Sequence, residues 1–184
     1  PRSGTTLLDT ILRSHSKIDV VEEQPLVIKM HEKLGVSKTF SDIETIDDDL
    51  AKTLSDVYFT ELEKRIQRRN DALLIDKLPL NLLEAPLINA LYPNAKFILA
   101  LRHPFDTILS CWMQNFKLNS AMAIMVDLEQ IVKLYCLAME TFKISRIKYN
   151  LNVHIIKYED LLEDVTGEST ALLKFLGLNW ETQM

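Results

Sequence analysis

An α/β fold, with a mostly parallel sheet between layers of helices, is what the 184 residues of this chain predict. Three observations carry that reading. Short continuous apolar runs such as KFILAL at 96–101 are bounded by turn residues and fit strands buried on both faces. These runs alternate with longer segments of helical period. The chain also opens on a small polar loop, Pro1-Arg2-Ser3-Gly4-Thr5-Thr6, that feeds straight into an apolar helix.

Each element follows in order. Leu7, Leu8, Ile11 and Leu12 recur at helical spacing over 5–15, and an extended piece at 18–21 leads to Glu22-Glu23-Gln24-Pro25. The next helix covers 26–34 and stops at Gly35, and 37–49 reads as a polar surface connection. Asp47-Asp48-Asp49 opens a further helix, where carboxylates suit the helix dipole, with Leu50, Leu54, Tyr58, Leu62 and Ile66 on its buried face. Strands at 72–76 and 96–101 flank a helix over 81–92, a strand–helix–strand unit of ordinary length. Pro104 starts a helix through Phe116, and a long helix over 127–149 carries Ile131, Leu134, Tyr135, Ala138 and Phe142 on one side. A strand at 153–157 and short helices at 159–163 and 169–176 complete the order. Met113, Met122, Met125 and Met139 read as core filling.

Composition narrows the classes. Hydrophobic residues are 47% and charged residues 26%, which argues for one globular domain rather than disorder. A formal charge of −5 argues against a nucleic-acid groove, which needs a net basic face. Cys111 and Cys136 read as buried free thiols, and the four His show no ligand spacing, so no metal is expected. Membrane association is not visible, and the residues say nothing of oligomeric state. A phosphate loop needs a strand before it, and the chain stops just after a helix end. The expectation is therefore an internal piece of a longer protein, truncated at both ends.

Four groups of residues carry chemistry. The loop at 2–6 aims backbone N–H groups and a helix dipole at one point, an anion cradle in which Arg2 supplies the charge. The Lys of the nucleotide-triphosphatase loop is missing, since Thr5 follows Gly4. On its own the same loop also reads as a helix cap. Arg102 follows a strand, with Ser110 eight residues on, at the strand end where ligands of open α/β sheets bind. The Arg fork suits a phosphate monoester, and the hydroxyl can donate a further bond. Lys77 lies at another strand end within DKLPLN, and Glu22-Glu23 follows the first helix. Taken singly, Lys77 also reads as a strand cap, and the two Glu as a solvated pair. If that pair is extended, only one carboxylate can face the site.

The spans PRSGTTLLDTILRSH, DKLPLN, LYPNAKFILALRHPFDTILSCWMQNF, IIKYEDLLED and LLKFLGLNW resemble the sulfotransferase superfamily that uses 3′-phosphoadenosine-5′-phosphosulfate (PAPS). The likeness is closest to protein-tyrosine sulfotransferases and to bacterial sulfotransferases associated with tetratricopeptide repeats. It runs over nearly all of 1–184 in family order. It implies a P-loop-type three-layer sandwich with a central, mostly parallel sheet, and one catalytic domain lacking its first strand and its C-terminal segment. It implies that Arg2, Ser3, Gly4, Thr5 and Thr6 hold the 5′-phosphosulfate, and that Arg102 and Ser110 hold the 3′-phosphate. Lys77 would stabilise the leaving group, Glu23 would take the acceptor's proton, and Tyr158-Glu159-Asp160-Leu161 would be a structural corner. The implied reaction moves a sulfuryl group to a hydroxyl, with a protein or peptide tyrosine as acceptor and no metal. The implied compartment is the cytoplasm for the bacterial type and the Golgi lumen for the eukaryotic tyrosine enzymes. The alternatives are a non-catalytic nucleotide-binding or interaction domain and a P-loop nucleotide kinase or NTPase.

Overall fold

The computed structural model describes residues 1–35, 43, 45–114 and 127–184. They fall into two compact units, each continuous in space but not in sequence: Pro1–Leu8 with Lys96–Trp180, and Asp9–Ala95 with Glu181–Met184. Helix α1, Thr5–Arg13, belongs partly to each.

In the second of these, β1 (Ile18–Glu22) pairs in parallel with β2 (Leu73–Lys77), from Ile18 opposite Leu73 to Glu22 opposite Lys77. Arg69 fastens the start of the pair: its Nε donates to Asp19 Oδ1 (2.9 Å) and its Nη2 to the Ile18 carbonyl (2.8 Å). Helices α2 (Leu26–Leu34) and α3 (Asp48–Glu63) pack together against this sheet. Helix α2 ends where Gly35 takes φ 84°, a backbone conformation that a side chain resists. The Asp47 carboxylate accepts from the Leu50 N–H (2.8 Å) and caps α3. Val21, Leu26, Val27, Met30, Leu54, Tyr58, Leu62 and Leu87 form the core.

After β2 the chain turns through a 3₁₀ helix, Pro79–Glu84, into α4, Ala85–Leu91. The single helix expected over 81–92 is thus two pieces. Pro86 has no N–H to give to a preceding turn, so it is tolerated only in the first turn of α4.

The other unit is built on β3 (Lys96–Leu101) and β4 (Asn152–Lys157), again parallel, with Lys96 opposite Asn152 and Leu101 opposite Lys157. Helices α5 (Pro104–Trp112) and α6 (Leu128–Lys148) meet through Ile108, Cys111 and Ile131, with Leu134 and Tyr135 against them. Helix α6 ends at Asn150, whose φ of 48° is the left-handed stop that Asn accepts more readily than most residues. Helices α7 (Tyr158–Glu163) and α8 (Val165–Leu176) follow β4 directly.

The alternation of strands and helices and the parallel pairing are as expected. The described strands pair as β1 with β2 and β3 with β4, so the connection through α4 leads from one pair to the other. Further expectations are corrected. Cys136 is exposed, Met113 is exposed at the end of α5, the strand expected at 72–76 spans Leu73–Lys77, and the last helix, expected over 169–176, begins at Val165. Phe116, Met122, Met125 and most of 37–49 lie outside the described residues.

One buried acid links α3 to β2. The Tyr58 hydroxyl donates to Asp76 Oδ2 (3.0 Å), and burial pushes the Asp76 carboxyl up to about 6, well above the ordinary carboxylate range. A raised carboxyl favours its protonated form in the fold. Stability therefore declines as pH rises from about 4 to about 6 and stays reduced above that. Asp76→Asn keeps an acceptor for Tyr58 and removes the charge. It should raise stability at pH 7.5 by about 2 kcal/mol and flatten urea-unfolding free energies between pH 4 and 7. An unchanged pH slope would mean that Asp76 is ionised at little cost.

Candidate active site

The loop before α1 is held in a conformation most residues avoid. Arg2 has φ 63° and Gly4 φ 86°. The Gly4 carbonyl accepts the Leu8 N–H (3.2 Å), and the earlier N–H groups lie at the helix mouth, outside the helical ladder. A Cβ on Gly4 would run into Tyr158 Cδ2, so the ring of Tyr158 lies directly on the loop backbone. The same ring carries the Arg102 guanidinium, 5.0 Å from its centroid.

Arg102 follows β3, as the sequence predicts. Its Nε is buried with no hydrogen-bond partner among the described residues, and Asp106 Oδ2 stands 3.8 Å away. An unsatisfied buried guanidinium nitrogen fits a site meant to receive an anion. The backbone beside it is fixed from α7: Glu159 Oε1 accepts the His103 N–H (2.8 Å). That bond, with the nearby positive groups, holds the Glu159 carboxyl below its usual range. Ser110, on α5, accepts from Arg2 Nε (2.9 Å). The serine expected beside Arg102 is therefore joined directly to the loop before α1. Ser3, Thr5 and Thr6 complete the loop and the first turn of α1.

Tyr158 and Glu159 do more than turn a corner. The first supports both the loop and Arg102, and the second fixes the chain between Arg102 and α5. The signal was present in the sequence. A Tyr-Glu pair directly after a strand end, YED here, stands on the same side of a parallel sheet as Arg102.

Lys77, Glu22 and Glu23 form a separate cluster at the ends of β1 and β2. The Lys77 side chain is only 10% exposed, and its Nζ donates to Glu22 Oε1 (2.6 Å) and to Glu23 Oε1 (3.4 Å). The Glu23 N–H donates to the Lys77 carbonyl (2.8 Å), which continues the ladder one step past the strands. The hydrogen bond from Lys77, with Arg13 and a contact to the Asp9 carboxyl, holds the Glu22 carboxyl below its usual range. The expectation that alternation turns the two carboxylates apart does not apply here. Glu23 has φ 49°, which breaks the extended run and swings its side chain back toward Lys77. Among the described residues no group of three or more His, Cys, Asp or Glu side chains could hold a metal ion.

Parallel strands whose carboxyl ends carry Lys77 and Arg102, and a small polar loop opening a helix, are features of an α/β fold of the P-loop type. The model of the sulfotransferase family matches residues 1–182, and the chain belongs to that family. Among curated proteins, an uncharacterized protein of Aquifex aeolicus is 27% identical over the whole chain and a quarter (25%) of its own length. Protein-tyrosine sulfotransferase 2 of Gallus gallus is 25% identical over 98% of the chain and 50% of its own length. Cytosolic sulfotransferase 14 of Arabidopsis thaliana is 31% identical over 47% of the chain and 28% of its own length. The chain thus spans half or less of the length of these relatives. The same fold is found in the sulfotransferase domain from the curacin biosynthetic pathway, at TM-score 0.62 and 22% identity, which covers all of this chain and 73% of that domain. The sulfotransferase domain of the Synechococcus PCC 7002 olefin synthase superposes at TM-score 0.63, also at 22% identity, over 100% of this chain and 72% of that one.

The crowding at Gly4 gives a direct test. Gly4→Ala adds a methyl group where φ is positive and the Tyr158 ring is in the way. It should cost roughly 1–3 kcal/mol of stability, which thermal unfolding measures. An unshifted melting temperature would show that the loop is free to adopt another conformation.

Proposed function

We propose that this chain carries the catalytic groups of a PAPS-dependent sulfotransferase that moves a sulfuryl group to a hydroxyl, with a protein or peptide tyrosine as the favoured acceptor. The observation that carries the reading is the Lys77 cluster: a nearly buried ammonium ion between two carboxylates, one of them 60% exposed. Sulfuryl transfer, like phosphoryl transfer, is catalysed mainly by alignment and by positive charge at the leaving oxygen. A deprotonated carboxylate is the complementary group, because the acceptor hydroxyl must lose a proton as its oxygen attacks sulfur.

The roles divide accordingly. The loop residues Arg2, Ser3, Gly4, Thr5 and Thr6 bind the 5′-phosphosulfate, with Arg2 also neutralising charge on the moving group. Arg102, with its unsatisfied Nε, and Ser110 bind the 3′-phosphate that separates PAPS from ATP. Lys77 neutralises the bridging oxygen as its bond to sulfur breaks. Glu23 accepts the proton as the new oxygen–sulfur bond forms. No residue of this set requires a metal. The tyrosine acceptor rests on the likeness to the Gallus gallus protein, which is named for that activity.

Lys77→Ala should lower turnover about a hundredfold or more and affect PAPS affinity much less, as expected for a group that acts on the transition state. Glu23→Gln should cost about 10²–10⁴-fold in turnover with PAPS still bound, and an acceptor with a more acidic phenol should recover part of the loss. For nucleotide choice, Arg102→Ala should weaken adenosine 3′,5′-bisphosphate by roughly 1.5–3 kcal/mol and leave AMP almost unchanged. Radiolabelled transfer assays and calorimetry measure these quantities. Equal losses for both nucleotides would remove the 3′-phosphate role. Tight binding of the bisphosphate with no transfer to any hydroxyl would leave a non-catalytic nucleotide-binding domain.

A further inference from the structure

Asp9 and Arg13 extend the Lys77 cluster by two charges. Asp9 is buried, at 5% exposure, on α1. One helical turn later Arg13 donates through Nε to Asp9 Oδ1 (2.7 Å), and its Nη2 reaches Glu22 Oε2 (3.4 Å). Glu22 holds Lys77 through its other oxygen, and Lys77 reaches Glu23. Acidic and basic groups alternate along these links, and the Asp9 carboxyl also meets that of Glu22.

The order of the chain assigns a direction to it. A buried carboxylate is costly unless it is paired, so Asp9 keeps Arg13 in place, and the rigid fork of Arg13 leaves one nitrogen to orient Glu22. Glu22 is thereby fastened on both oxygens. Among the described residues the Glu23 side chain has only the longer contact to Lys77, at 3.4 Å, and it sits on a backbone at φ 49°. The two carboxylates are not equivalent partners for Lys77.

We propose that Asp9, Arg13 and Glu22 are a positioning chain for Lys77. Glu22 retains the ammonium ion, so that Glu23 is released to take the acceptor's proton. The proposal rests on the sulfuryl-transfer reading above, and it assigns Glu22, Arg13 and Asp9 no contact with substrate. It changes what is expected of Glu22: in a purely solvated pair, removing its charge would be harmless.

The test uses the whole protein and two measurements. Arg13 and Glu22 side chains are 43% and 44% exposed, so Arg13→Gln and Glu22→Gln should both fold, and circular dichroism checks each; either one alone carries the test. Proton–nitrogen NMR of the lysine ammonium groups follows Lys77 without ligand, its signal assigned by its loss in Lys77→Arg. Glu22→Gln and Arg13→Gln should speed hydrogen exchange of the Lys77 ammonium severalfold, and Glu23→Gln should leave it within about twofold, because the shorter charge-assisted bond is the stronger. In the transfer assay both chain variants should lose about tenfold or more in kcat, with KM for PAPS moving less, since only orientation is lost. Unchanged exchange and unchanged kcat in both variants would overturn the proposal, and so would Glu23→Gln as the change that frees Lys77. If the unmodified protein transfers no sulfuryl group, the functional reading falls by itself, and the NMR comparison alone decides the positioning role.

Discussion

The ion pair between Lys77 and Glu22 closes the ends of two parallel strands that are in register along their whole length. That placement is a consequence of topology. Parallel pairing brings the carboxyl ends of β1 and β2 to one edge, and the residues just past those ends face the same region. Lys77 is drawn out of water there, which is tolerable only because carboxylates meet its ammonium group. The cluster exists because β1 and β2 align. Shifting either strand by one residue would turn Lys77 or Glu22 to the opposite face.

The same rule operates in the unit built on β3 and β4. The end of β3 carries Arg102 and the end of β4 carries Tyr158, and their register places a guanidinium over an aromatic ring. A ring in that position serves two purposes. It supports the cation and fills the space beside Gly4, so a loop at positive φ rests on a rigid surface. Left-handed backbone at both Arg2 and Glu23, in residues assigned to chemistry on other grounds, fits the tendency of strained conformations to gather at functional sites.

Much of this was legible from residue patterns, where a local cause dominates. Gly35 ended α2 where an unstrained side chain could not, and Asp47 and Asp127 began α3 and α6 through their caps. Pro86 shows the limit of periodicity: the apolar spacing over 81–92 is helical, but one missing N–H divides it into a 3₁₀ piece and a short α-helix. Strands 96–101 and 153–157 were legible from apolar continuity, whereas their pairing was not, because partner choice depends on contacts distant in sequence. Cys136 stands among apolar neighbours in sequence yet faces outward, since α6 buries only one side. At the site, Lys77 and Arg102 were legible as charged residues at strand ends, and the choice of Glu23 over Glu22 came from motif likeness. The swing of Glu23 toward Lys77, the bond between Arg2 and Ser110, and the buried Asp9 beneath Arg13 all depend on backbone angles and packing that no spacing encodes.

The most direct test of the central claim is a single-turnover experiment with the unmodified protein in excess over PAPS labelled with ³⁵S, with a tyrosine peptide or simple phenol as acceptor. Transfer of the label to the acceptor oxygen, with one adenosine 3′,5′-bisphosphate released per label transferred, is the expected result. Release of labelled inorganic sulfate alone, or no loss of label from PAPS although the bisphosphate binds, would contradict it.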